Sequence, residues 1–180
     1  MLLIDKIKER ASRRNTLIFL VIAVVSFVLM GAVIMAMMDQ SGILALLDMR
    51  FFYTFDEVTE YLTALGETGR TYYLYQKIVD SFFPIGYGLG IALALGYLFR
   101  KSDIKNSWHY IILIPIIAAI FDYIENMLLT TQILSFPTIS EVIVSIAAIT
   151  TLIKWIFLLS AIGVLFVCFL VFAVKRRTSD

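Results

Sequence analysis

From Leu17 to Met38 no residue carries a charge. A helix that crosses the hydrocarbon of a bilayer needs about 20 mostly apolar residues, so this run decides the solvent before anything else is considered. The pattern recurs. Between Ile78 and Phe99 the only charge is Asp80. Between Tyr110 and Leu134 the charges are Asp122 and Glu125, with Asn126 beside them. The run from Ile139 to Val174 holds Lys154 as its one charge after Glu141. Hydrophobic residues make up 61% of the chain, against about 45–50% in soluble domains. The sequence therefore predicts an all-α protein: a four-helix transmembrane bundle with spans at about 17–38, 78–99, 110–134 and 139–174.

The first run follows a basic segment, as a secretory signal would. It is longer than the 7–15 residue core of a signal peptide, and Ala36-Met37-Met38 is a poor cleavage site. A retained anchor is expected. The formal net charge of +1 gives no field for nucleic acid. The single cysteine, Cys168, excludes an internal disulfide or a Cys-X-X-Cys pair. Nothing implies a cofactor, and the one histidine, His109, lies at a span boundary with no second histidine to share a metal.

Orientation follows from lysine and arginine in short loops. Lys6, Lys8, Arg10, Arg13 and Arg14 precede the first run; Arg100, Lys101 and Lys105 join the second to the third; Lys175, Arg176 and Arg177 follow the last. The segment from Asp39 to Gln76 holds only Arg50 and Arg70, and the connection from Thr131 to Ser140 holds none. Both termini are thus expected in the cytoplasm, with residues 39–77 as an outer loop and a cytoplasmic or plasma membrane as the location.

Within that loop Thr54-Phe55-Asp56-Glu57 is a capping box, a hydroxyl at the helix start and Glu three residues on. Val58, Tyr61, Leu62 and Leu65 then repeat at helical spacing, and Gly66 can end the helix. A short extracytoplasmic amphipathic helix is predicted, either covering the bundle or serving as a lid. A second box, Thr138-Ile139-Ser140-Glu141, is expected to start the fourth helix. That helix, carried to Val174, would measure about 54 Å, so it must project, tilt strongly, or break near Lys154.

In the second span Gly86, Gly90 and Ala94 form one stripe, and Gly88, Ala92 and Gly96 form another roughly opposite. Small residues four apart let helices approach closely in lipid, which predicts packing on both sides. The glycines lie inside a span with no strand before them, which excludes a dinucleotide loop.

A charge at the centre of a span costs about 2.5–3.5 kcal/mol on insertion scales, so its position is informative. Asp122, Glu125 and Asn126 share one face of the third helix. Lys77, Asp80 and Tyr87 share a face of the second, and Thr151 and Lys154 a face of the fourth. Lipid suits none of these faces, so they are expected to converge in an outward-facing polar pocket. Asp122 and Glu125 would form its floor, and Lys77, Asp80 and Lys154 its rim. Two readings stand: a binding or catalytic pocket, or a buried network that fixes helix register.

Several short strings carry a resemblance. Gly66-Glu67-Thr68-Gly69-Arg70, Asp80 with Phe83-Pro84 and Tyr87, Asp122-Tyr123-Ile124-Glu125-Asn126, and Thr151 with Lys154-Trp155 resemble motifs in a group of small four-span membrane proteins of unknown function. The resemblance implies a recurring set of polar residues and supplies no reaction. The function expected from the sequence is therefore binding: a lipid, small molecule or membrane partner held in the pocket, with a homo-oligomer as one form of partner. The alternative is an enzyme acting on a lipid at the outer leaflet through Asp122 and Glu125.

Overall fold

The structure, a computed structural model, describes residues 2–41, 46–102 and 106–177. Among these residues the fold is all-α. The helices are α1 (Leu2–Arg10), α2 (Arg13–Ser41), α3 (Phe55–Asp80), α4 (Phe83–Ser102), α5 (Ile114–Ser135) and α6 (Glu141–Arg177), with 3-10 turns at Leu47–Met49 and Asn106–Leu113. Four stretches are long and apolar enough to cross a membrane: Arg13–Asp39, Phe55–Ser102, Trp108–Ser135 and Glu141–Arg177.

The second of these differs from its sequence reading. The expected loop is helical from Phe55 to Asp80. The capping box forms as read: Thr54 Oγ1 accepts from the Glu57 amide at 3.3 Å, and Glu57 Oε2 accepts from the Thr54 amide at 2.7 Å. Val58, Leu62 and Leu65 are buried. Gly66 takes φ 64° and ψ −177°, a conformation open essentially to glycine alone, and the helix kinks there without ending. Arg70 spans the kink: its Nη1 donates to the Leu62 carbonyl at 2.8 Å, and its guanidinium lies 4.3 Å from the centre of the Phe136 ring. A carbonyl orphaned at the end of the first arm thereby gains a donor. The second arm carries Gly69, Tyr73, Gln76, Lys77 and Asp80 inward at helical spacing. The break expected nowhere in this span falls at Ser81–Phe82, because Pro84 lacks an amide and its ring would clash with the carbonyl four residues earlier. α4 then starts afresh.

Two further boundaries move for similar reasons. Pro115 suits the first turn of α5, so the residues before Ile114 form a 3-10 turn where a continuous third span was expected. Ser140, not Thr138, caps α6: its Oγ accepts from the Ile143 amide at 3.5 Å, and its own amide donates to Gln132 Oε1 at 2.7 Å. Of the three fates open to the fourth helix, a break is excluded, since α6 runs unbroken over 37 residues through Lys154.

The glycine stripes pack as the spacing predicts. A Cβ on Gly86 would lie 2.8 Å from Ala23 Cβ of α2, and one on Gly90 2.9 Å from Leu20 Cδ2. On the opposite side a Cβ on Gly88 would lie 2.8 Å from Ala119 Cβ of α5. α4 is therefore the central helix, in backbone-to-backbone contact with both neighbours. Gly96 faces Ala11, just after α1. The sequence reading did not resolve α1: Ile4 and Ile7 turn its apolar side onto the bundle.

The basic clusters gather at one end. Arg100 donates to the Lys8 and Ala11 carbonyls, Arg13 to the Tyr97 hydroxyl at 3.0 Å, and Lys175 to the Ser102 carbonyl at 2.7 Å. Lys8 Nζ meets His109 Nδ1 at 3.0 Å, and the His109 ring stacks on Phe99. His109 is thus a boundary residue. Lys105 lies outside the described residues.

The core divides into two apolar clusters. One, nearer the basic end, includes Ile7, Leu95, Phe99 and Ile112; the other includes Leu47, Tyr53, Leu62, Leu129 and Val144. Along α5, Ala118 belongs to the first and Leu129 to the second. Asp122, Glu125 and Asn126 fall between them, so the polar residues form a layer across the bundle.

Candidate functional site

The three polar stripes converge as expected. Lys154 is the hub. Its ammonium pairs with Glu125 Oε2, lies 3.7 Å from Asp122 Oδ1, and donates to the Asp48 carbonyl at 3.1 Å. An ammonium has three N–H bonds and no lone pair; two of them are hydrogen-bonded here, to Glu125 and the Asp48 carbonyl, and at 3.7 Å Asp122 is an ion-pair partner beyond hydrogen-bond range. The ion pair joins α5 to α6. The Thr151 hydroxyl hydrogen-bonds Glu125 and, at 3.1 Å, the Tyr53 hydroxyl. The Tyr87 hydroxyl donates to Asp122 Oδ2 at 3.0 Å. Lys77 Nζ donates to Asn126 Oδ1 at 2.8 Å and pairs with Asp48 Oδ2 at 3.0 Å. All eight residues singled out from the sequence, Asp80 included, are buried in this layer.

Their arrangement departs from a floor and a rim. Lys154 and Lys77 are as buried as the acids, and Glu125 is fully buried. The layer also contains residues the sequence reading did not place in a site. Asp48 joins three partners: Lys77, Lys154 through its carbonyl, and the Tyr73 hydroxyl, which donates to Oδ1 at 3.3 Å. Burial pushes the Asp48 carboxyl up; the ammonium groups of Lys77 and Lys154 more than reverse this and hold it below its ordinary value. The signal available was a pair of charges, Asp48 and Arg50, in an otherwise apolar stretch, Leu44 to Tyr53, inside a connection read as loop.

The roof over the layer is therefore this strap, residues 46–53, rather than the amphipathic helix. Leu46, Leu47 and Tyr53 are buried, while Met49, Phe51 and Phe52 turn outward. Trp155 Nε1 donates to the Arg50 carbonyl at 3.0 Å, and the Trp155 ring lies 5.4 Å from Phe51. Arg50 itself pairs with Glu57 at 3.6 Å. The strap thus docks on α3 and α6 through backbone and side chain together.

Beneath the strap lies a cavity of about 340 Å³, within the range of about 300–1,000 Å³ usual for ligand pockets. Its polar wall is Asp48, Gln76, Asp80, Asp122 and Lys154. Its apolar wall comes from Phe27, Met30, Gly31 and Ile34 of α2 and from Trp155 and Leu158 of α6. Glu125, Asn126, Lys77, Tyr87 and Thr151 stand behind this surface and hold it in place. The Gln76 amide donates Nε2 to Met30 Sδ at 3.5 Å, while Oε1 has no partner although the residue is 2% exposed. Among the described residues no group of three or more His, Cys, Asp or Glu side chains is placed to hold a metal ion.

The cavity sits between α2 and α6, each of which packs on α4. A second, separate apolar groove of about 600 Å³ lies between the same helices nearer the basic end, lined by Leu17, Ala94, Tyr97, Ile162 and Phe166 among others. Leu158 of the cavity is one helical turn from Ile162 of the groove. Comparison with protein families, curated proteins and solved structures finds no match to the chain.

Proposed function

We propose that this multi-pass membrane protein binds a membrane amphiphile whose polar head enters the cavity sideways, between α2 and α6. One observation carries the reading: a cavity of ligand size has charged side chains on one wall and lipid-facing helices on the other. A network serving only helix register would be closed on itself; here Asp80, Asp122 and Lys154 border open space. The basic end is inferred to face the cytoplasm, from the gathering of the basic clusters there. That places the cavity toward the opposite leaflet and both termini inside, in a cytoplasmic or plasma membrane. Cysteines at positions 10 and 176 should then resist, and one at Glu60 should accept, an impermeant thiol reagent on intact cells. Labelling at position 176 from outside would overturn the orientation.

Gly31 provides the test of occupancy. It lines the cavity, and a Cβ built on it meets nothing within 4 Å. Gly31→Trp should therefore fill the cavity without disturbing the helix contacts. Native mass spectrometry of the gently extracted protein is expected to show a bound lipid that this variant loses at unchanged thermal stability. Equal lipid in both proteins would refute the reading. A second reading, an enzyme acting on that lipid, is favoured by Asp122, whose carboxyl reaches the cavity while accepting from Tyr87. Glu125, its expected partner, lies behind the wall. Recovery of chemically altered lipid from wild type but not from Asp122→Asn would support it.

A further inference from the structure

We infer that the head held in this cavity is a primary ammonium, captured by Asp80, Asp122 and the Gln76 carbonyl; the inference rests on the amphiphile reading above. The argument is a count of donors and acceptors. The cavity-lining residues that have polar side-chain N or O atoms are Asp48, Asp80, Asp122, Gln76, Lys154 and Trp155. Among them only Lys154, the Gln76 amide and the Trp155 indole carry N–H donors, and the indole is given to the Arg50 carbonyl. Lys154 gives two of its three N–H bonds to Glu125 and the Asp48 carbonyl and lies in ion-pair range of Asp122, and Gln76 Nε2 is given to Met30.

The acceptors are less well served. Gln76 Oε1 is buried without a partner. Asp80 is 4% exposed, and no Lys or Arg of the described residues lies within ion-pair distance of it. It has the Asn126 amide beside it, but Asn126 is neutral. The charges tell the same story. Asp48 is matched by Lys77 and Glu125 by Lys154, so an ionised Asp80 would have no ammonium of its own within ion-pair distance and would share Lys77 with Asp48. An isolated charge out of water is costly. An ammonium brings one positive charge and three donors, the complement of what the wall lacks. A carboxylate or phosphate head would bring more acceptors and more negative charge to a wall already rich in both.

The apolar surroundings specify what carries the amine. The separate apolar groove next along α2 and α6 marks the direction an alkyl chain would take: Lys154 to Phe166 is about 18 Å of helix, close to the ~15 Å of one leaflet's hydrocarbon. A long-chain primary amine therefore fits better than a small hydrophilic one.

The experiment compares hexadecylamine, hexadecanol and hexadecanoic acid binding to the full chain in a nonionic detergent, displacing a fluorescent long-chain probe. The amine is expected to bind about tenfold or more tighter than the alcohol, since hydrogen bonds to charged groups contribute about 1.5–3 kcal/mol. Asp80→Asn should remove most of that preference, weakening amine binding far more than alcohol binding. Equal binding of all three probes by wild type would overturn the amine and leave the amphiphile reading intact. No binding of any probe, with lipid content unaffected by Gly31→Trp, would defeat both. A preference that survives Asp80→Asn would overturn the assignment to this carboxylate. Should that variant fail to fold, the selectivity of wild type among probes of one chain length decides the matter alone.

Discussion

Lys154→Met is expected to lower the stability of the bundle by about 3–5 kcal/mol, the range measured when one member of a buried ion pair is removed. The substitution keeps the length and much of the volume of the side chain, so packing is nearly preserved. What is lost is the charge and its hydrogen bonds. Glu125, fully buried, would be left with the Thr151 hydroxyl as its remaining partner within the layer. Arg50 and Arg70 cannot come to its aid, because they are engaged with Glu57 and with the Leu62 carbonyl. Lys77 is held by Asp48 and Asn126. The Asp48 carbonyl would also lose its donor, loosening the strap. Thermal unfolding in detergent, followed by helical circular dichroism, checks the size. The double variant Lys154→Met with Glu125→Gln should regain part of the loss, because the stranded charge is gone. A single variant as stable as wild type would mean that the pair contributes little and that its role lies elsewhere.

That the convergence of these polar faces could be anticipated at all shows which information the sequence holds. A charge inside an apolar run has few ways to exist, so Asp122, Glu125 and Lys154 each announce an inward face, and 100° per residue says which neighbours share it. The two glycine stripes of α4 are legible for the same reason: side-chain size at fixed spacing dictates which surface a neighbouring helix can reach. What does not follow from spacing is which helix that neighbour is. Gly86 could as well have met α6 as Ala23 of α2; the assignment depends on how all the helices share the volume.

The strap was hidden by a different cause. Residues 46–53 adopt mostly irregular backbone, for which periodicity is silent. Their position comes from long-range bonds to residues as distant as Lys154 and Trp155. The helical course of residues 67–80 was only half legible. Tyr73, Gln76, Lys77 and Asp80 lie on one helical face, but Gly66 and Gly69 read as loop residues until the Gly66 kink and the Arg70 cap are seen together. The break after Asp80 was available in principle, since Pro84 marks it. The apolar residues on both sides masked it, because hydropathy alone sees one continuous span.

The second large effect is expected at Asp48, which, like Arg50, binds the strap to both α3 and α6 but does so from a buried position. Asp48→Ala removes the counter-ion of Lys77 and the acceptor for Tyr73 in one step. Lys77 is 4% exposed and would keep only the neutral Asn126 oxygen, so a loss of about 3–5 kcal/mol is expected here as well. The two substitutions differ in what opens. Lys154→Met loosens the joint between α5 and α6, whereas Asp48→Ala releases the strap and leaves that joint intact. Leu47, fully buried beside Asp48, reports on this. A cysteine at position 47 should be protected from a thiol reagent in the parent chain and become reactive when Asp48→Ala is added. The pH dependence carries a sign. The Asp48 carboxyl is held below its ordinary value of 3.8 in the folded protein, so its stabilisation is present above that value and is lost as the pH falls through the lower, folded one. The stability difference between wild type and Asp48→Ala should therefore stay constant from neutral pH down to about 5 and shrink only in stronger acid. A difference that disappears by mild acidification would show that the carboxyl is not held by its two lysines. A position 47 cysteine that stays protected in the variant would show that the strap is anchored by its apolar side chains instead.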